Sequence, residues 1–131
     1  MNSGLRSTMP KHILIVDDEL DNVELFRMML RPFNVELRSA QLGGEALEQA
    51  YQTPPALILL DLMLPDMSGF EVCAQLKAAP NTAQCYIAVL SGRNDETARQ
   101  KALAAGADRF LVKPISRTDL KMLVEAVIGA S

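Results

Sequence analysis

The chain has 131 residues, of which 49% are hydrophobic and 22% charged, and its net charge is −3 at neutral pH. That length suits one domain with its own core, and the apolar content excludes an intrinsically disordered chain. No apolar run approaches the ~20 residues of a membrane-spanning helix, and the acidic balance argues against direct nucleic-acid binding, which needs a basic patch.

Residues 1 to 10 lack the apolar stretch of a signal peptide and read as a flexible N-terminal arm, so a cytoplasmic location is expected and the structured domain should span 11–131. The first structured run is His12-Ile13-Leu14-Ile15-Val16, a short apolar strand that ends in Asp17-Asp18-Glu19. Leu20, Val23, Phe26 and Leu30 then recur at helical spacing, and Pro32 closes that helix. Asp18 could serve as a helix cap, but one cap needs one carboxylate, and two adjacent ones repel. Val35 to Ser39 alternates apolar and polar residues, the pattern of a half-exposed edge strand.

Gly43-Gly44 breaks the chain before a short helix bearing Ala46, Leu47, Ala50 and Tyr51, which Pro54-Pro55 ends. Leu57-Ile58-Leu59-Leu60 is apolar on both faces and ends in Asp61, followed by a turn rich in Pro, Asp, Ser and Gly. Phe70, Cys73, Leu76 and Ala79 form the next helical stripe. Tyr86 to Leu90 is the fourth strand and runs into Ser91-Gly92. A helix carrying Ala98, Ala102 and Ala105 stops at Gly106, and Arg109 to Val112 is the fifth strand, ending in Lys113-Pro114. The last helix presents Leu120, Leu123, Val124 and Val127. Cys73 and Cys85 read as reduced, structural thiols.

Strict alternation of five strands and five helices predicts an α/β fold with a doubly wound parallel sheet and right-handed crossovers. The fully apolar first, third and fourth strands should be central and the alternating second strand an edge. That favours the order 2-1-3-4-5, already known for flavodoxin-like folds including a chemotaxis response regulator. Parallel topology then gathers Asp17, Asp18, Asp61, Ser91 and Lys113 at one sheet edge, the C-terminal edge where such sheets bind ligands. Three carboxylates in one cleft raise at least one pKa unless a cation neutralises them. Lys113 can supply one positive charge and a divalent metal more. All-oxygen ligands favour a hard cation such as Mg²⁺. His12 lies at the far end of its strand and reads as a bland residue.

The runs Ile15-Val16-Asp17-Asp18-Glu19, Leu60 to Gly69, Ser91-Gly92 and Gly106 to Pro114 together resemble the receiver domains of two-component response regulators, over roughly residues 10 to 129. The resemblance implies that Asp61 accepts a phosphoryl group from a phosphohistidine on a sensor histidine kinase or phosphotransfer protein. It implies Mg²⁺ held by Asp17, Asp18, Asp61 and the backbone carbonyl of Met63. Lys113 would pair with the phosphoryl group or, before transfer, with Asp61, and the Ser91 hydroxyl would donate to a phosphoryl oxygen. The Lys113–Pro114 bond would be cis, as X–Pro bonds can be.

The same resemblance implies a switch in which Ser91 moves to the phosphoryl oxygen and Phe110 turns into the space it leaves. The alternative for Phe110 is an ordinary strand hydrophobe. Where the family often has Tyr, Phe has no hydroxyl to leave unpaired, so a bias toward the inward rotamer is expected. Phosphorylation would change the face made by the fourth helix, fifth strand and fifth helix, where a downstream effector would dock. Since the chain ends at about the last helix, output through a separate protein is expected. Met63, two residues after Asp61, cannot orient a water well, which implies slow loss of the phosphoryl group. The implied role is a phosphoacceptor signalling domain, catalysing only its own phosphorylation and dephosphorylation, without membrane insertion. Two alternatives are a degenerate receiver that binds partners independently of phosphorylation and a Mg²⁺-dependent phosphohydrolase with an Asp nucleophile. The latter resembles Asp-x-Asp enzymes but has Met63 at the acid/base position.

Overall fold

The computed structural model describes residues 11–129; the arm expected over residues 1 to 10 lies outside the described residues, as do residues 130 and 131. In chain order the elements are β1 (His12–Val16), α1 (Leu20–Leu30), β2 (Glu36–Ala40), α2 (Gly43–Gln52), β3 (Leu57–Asp61), α3 (Gly69–Ala78), β4 (Tyr86–Ser91), α4 (Glu96–Ala104), β5 (Arg109–Val112) and α5 (Arg117–Ile128). The sheet is parallel, in the order β2-β1-β3-β4-β5. This is the flavodoxin-like arrangement that the apolar runs predict.

The alternation of side chains along each strand explains the layers. Ile13, Ile15, Leu57, Leu59, Ala88 and Leu90 face one side and pack with Val23, Phe26 and Leu30 of α1 and Leu120, Leu123 and Val124 of α5. Leu14, Val16, Ile58, Leu60, Ile87 and Val89 face the other, against α2, α3 and α4. Strands covered on both faces must be apolar throughout, which is why β1, β3 and β4 show no polar alternation. The edge strand β2 is exposed or half-buried except at Ala40.

Three details differ from the sequence reading. Strand β2 runs one residue later at each end, because its pairing with β1 starts at His12 opposite Glu36, while the Val35 amide closes a turn onto the Phe33 carbonyl. Leu20 is the first residue of α1 and is 61% exposed, so the buried stripe is Val23, Phe26 and Leu30. On α4 Ala102 alone is fully buried, and Ala98 and Ala105 pack partly against the core.

At the end of the sheet where β4 begins, Lys77 Nζ donates to the carbonyls of Ala83 and Cys85 and pairs with Asp108 at 3.0 Å. The Asp108 carboxylate also accepts the Ile87 amide at 2.8 Å. Gly106 has φ +104°, and a Cβ there would also meet Lys77 Cγ at 2.7 Å, so glycine serves both as helix stop and as clearance. Cys73 and Cys85 are buried and unpaired with each other, and burial pushes the Cys73 thiol up to about 11. They are structural thiols.

Candidate functional site

Asp17 follows β1, Asp61 is the last residue of β3, and Lys113 follows β5. Because the strands are parallel and rigidly packed, their C-terminal ends bring these side chains together. One oxygen from each of Asp17, Asp18 and Asp61 lies within 4.8 Å of the others. The Lys113 ammonium is 3.4 Å from Asp61 Oδ1 and 3.6 Å from Asp17 Oδ2. Asp17 is 1% exposed and Asp61 7%, whereas Asp18 projects into solvent.

The two buried carboxylates are held differently. Asp17 Oδ1 accepts the Glu19 amide at 2.9 Å, and Oδ2 accepts the Asn22 side-chain amide at 3.2 Å. Its oxygens are therefore aimed by the turn into α1. Asp61 Oδ1 accepts a long bond, 3.4 Å, from the Met63 amide and lies equally far from the Lys113 ammonium. Burial pushes the Asp61 carboxyl above its ordinary 3.8, Lys113 pulls it back, and the charge of Asp17 raises it again. A buried carboxylate with spare lone pairs and a neighbouring ammonium is a suitable nucleophile. The donor set is all oxygen, as a hard divalent cation requires, and three carboxylates against one ammonium leave negative charge for such a cation to neutralise.

The raised Asp61 pKa has a consequence for stability. A carboxyl that binds its proton more tightly when folded contributes stability below the unfolded pKa and loses it as pH rises through the folded one. Asp61→Asn should therefore be more stable than the parent protein at pH 7 with Mg²⁺ chelated, and the gap should close below about pH 4. Denaturant unfolding at the two pH values reads this directly; a variant less stable at pH 7 would show that the Asp61 charge is satisfied by its surroundings.

Ser91 ends β4, and its hydroxyl donates to the Arg93 carbonyl at 3.1 Å while accepting the Arg93 amide at 3.2 Å. Phe110 on β5 is 8% exposed and packs in the layer with α2, α3 and α4. The Lys113–Pro114 bond is cis. Asp18 is not the helix cap: the residue in that position is Glu19, whose carboxylate accepts the Asn22 side-chain amide at 2.9 Å and caps no backbone amide.

The loop from Leu62 to Ser68 carries contacts that sequence reasoning missed. Met63 and Ser68 form an antiparallel bridge, and the Gly69 amide donates to the Leu62 carbonyl at 2.8 Å. The Asp66 carboxylate accepts the Gly43 amide at 2.7 Å and the Gly44 amide at 2.9 Å, and these amides hold its pKa below the ordinary carboxylate value. Asn22 was missed too, although its place one helical turn after Asp17 and Asp18 was a usable signal.

The response regulator receiver domain family matches residues 13–125. The transcriptional regulatory protein SrrA of Staphylococcus aureus is 38% identical over 120 residues, which are 92% of this chain and 48% of that protein. The chain thus spans about half the length of this relative. A crystal structure assigned as a response regulator from Chloroflexus aurantiacus is 31% identical with a TM-score of 0.85, covering 92% of this chain and 99% of that one. The receiver domain of the sensor histidine kinase PA1611 from Pseudomonas aeruginosa, solved with a magnesium ion in its active-site cleft, is 26% identical with a TM-score of 0.83, covering 92% and 99%. The chain belongs to the response regulator receiver family. It is a signal-transduction domain of the two-component kind. Among the described residues no helix is long and apolar enough to cross a membrane.

Proposed function

We propose that this domain takes a phosphoryl group from a phosphohistidine onto Asp61 and passes the change to a downstream effector. The observation that carries the reading is the Asp61 carboxylate, buried at a strand end, 3.4 Å from Lys113 and clustered with Asp17 and Asp18. An Asp61 oxygen attacks phosphorus as the P–N bond of the donor breaks, and the electron pair stays on the donor imidazole. Lys113 offsets charge on the phosphoryl oxygens as a point charge. Asp17, Asp18, Asp61 and the Met63 carbonyl would hold Mg²⁺, which when bound neutralises charge on the carboxylates and the phosphoryl oxygens.

Ser91 would exchange its bonds to Arg93 for one to a phosphoryl oxygen, and Phe110 would occupy the space vacated. The burial of Phe110 supports a bias toward the inward state, and transfer then biases the face made by α4, β5 and α5 toward a downstream effector. The donor is a sensor histidine kinase or phosphotransfer protein. Exposed Leu20, Leu25 and Met28 on α1 suit protein contact, as does a depression of about 300 Å³ between α1 and the Lys113-Pro114-Ile115 turn. A cytoplasmic site of action goes with such partners.

Incubation with acetyl phosphate and Mg²⁺ should add one phosphoryl group by intact mass, and none with Asp61→Asn or with the metal chelated. Phosphate released without labelled protein would favour a hydrolase. No labelling despite Mg²⁺ binding would favour a phosphorylation-independent binding module. Met63 is 77% exposed and offers water no donor and only a weak sulfur acceptor. Self-dephosphorylation should therefore be slow, and Met63→Asn should speed it several-fold in a decay assay of the labelled protein. An unchanged half-life would remove the side chain from the hydrolytic step.

A further inference from the structure

Helix α2 has no cap of its own. The residue before it, Leu42, has no side-chain acceptor, yet the first amides of a helix need partners. Those of Gly43 and Gly44 are taken by the two oxygens of Asp66, 23 and 22 residues further along the chain. The contact is also apolar: a Cβ on Gly43 would collide with the Met67 side chain, which packs against the core. The apex of the β3–α3 loop is thus fastened to the start of α2 by a charge-assisted pair of bonds and a packed methionine.

The rest of that loop is short and stiff. Met63 bridges to Ser68, and Gly69 closes onto Leu62. Met63 lies two residues after Asp61 and three before Asp66, so the peptide carrying its carbonyl lies between the end of β3 and the tether. Little freedom remains for that carbonyl once both ends are held.

We infer that Asp66 is a positioning residue, which fixes the Met63 carbonyl for a divalent cation by tying the loop to the start of α2. This rests on the proposed reading of the acidic cluster as a Mg²⁺ site. Asp66 touches neither the cation nor the phosphoryl group; it acts through the loop. Residues supporting metal ligands from outside typically change affinity by 10- to 100-fold when removed.

The test is a Mg²⁺ titration followed by backbone amide shifts in NMR, at a temperature well below unfolding. The proteins compared are the parent, Asp66→Ala, Asp66→Asn and Ala50→Gly. Asp66→Ala should weaken Mg²⁺ binding roughly tenfold. Asp66→Asn, which keeps an acceptor oxygen, should recover part of that. Ala50→Gly loosens the same helix away from the tether and should leave the affinity unchanged. In the Mg²⁺-free protein, amides from Met63 to Met67 should exchange faster in Asp66→Ala. Parent protein that binds Mg²⁺ alongside an Asp66→Ala variant of equal affinity would overturn the inference alone. So would equal weakening in Ala50→Gly, because general loosening would then suffice. Parent protein that binds no Mg²⁺ would remove the proposed site and the inference together.

Discussion

Gly69→Ala should lower the unfolding free energy by about 3 kcal/mol, at the upper end of the usual cost of overpacking. A Cβ at this position would lie 2.8 Å from the Asp61 carbonyl oxygen and 2.9 Å from Leu62 Cα. Both are backbone atoms, so no side chain can swing aside. Relief requires β3 and α3 to separate, which strains the Gly69 amide bond to the Leu62 carbonyl at 2.8 Å. In a domain of this size the loss amounts to a fall of roughly 10 °C in Tm. Gly92→Ala is the matched control, since nothing lies within 4 Å of a Cβ there, and it should stay within about 0.5 kcal/mol of the parent. Chemical denaturation of both variants checks the contrast; a Gly69→Ala protein as stable as Gly92→Ala would show that the loop yields freely. Because the displaced atoms belong to Asp61 and Leu62, labelling of Gly69→Ala should fall as well.

Lys113→Met should cost about 2 kcal/mol in the metal-free protein at pH 7. Removing one partner of a fully buried ion pair costs 3–5 kcal/mol, and the Lys113 side chain, 24% exposed, is partly screened by water. What remains is Asp17 facing Asp61 with no cation between them. Asp61 then holds its proton more firmly, so the deficit shrinks as the solution is acidified. Two rescues follow from the same electrostatics. Saturating Mg²⁺ should restore stability, and so should Asp61→Asn in the Lys113→Met background, which removes one of the repelling charges. A gain from Asp61→Asn no larger in the Lys113→Met background than in the parent would show that Lys113 acts through packing and not through charge.

Much of this was legible from residue patterns because burial leaves a periodic trace. Continuous apolar runs at β1, β3 and β4 marked strands covered on both faces, the alternating run marked the edge, and together they ordered the sheet. Once the order is known, residues at strand ends must be neighbours, and the order alone brings Asp17, Asp61 and Lys113 together. Periodicity says nothing about contacts that cross from one loop to another. Asp66 reads as a turn residue, and its bonds to Gly43 and Gly44 depend on where two separate loops meet. Lys77 of α3 likewise binds two carbonyls of the loop before β4 and Asp108 of the loop before β5, contacts that no helical spacing signals. The exposure of Leu20 was hidden for a related reason: helical spacing marks the direction of a stripe but not where along the helix the sheet ceases to cover it.

If Asp61 carries the phosphoryl group, the site of attachment will show it. Protein labelled with acetyl phosphate and Mg²⁺ would be reduced with borohydride, digested and sequenced by mass spectrometry. Position 61 alone should be recovered as homoserine, the reduction product of an acyl phosphate on aspartate. Homoserine at 17, 18 or 66, or a phosphoryl group retained on a serine or threonine, would show that Asp61 is not the acceptor.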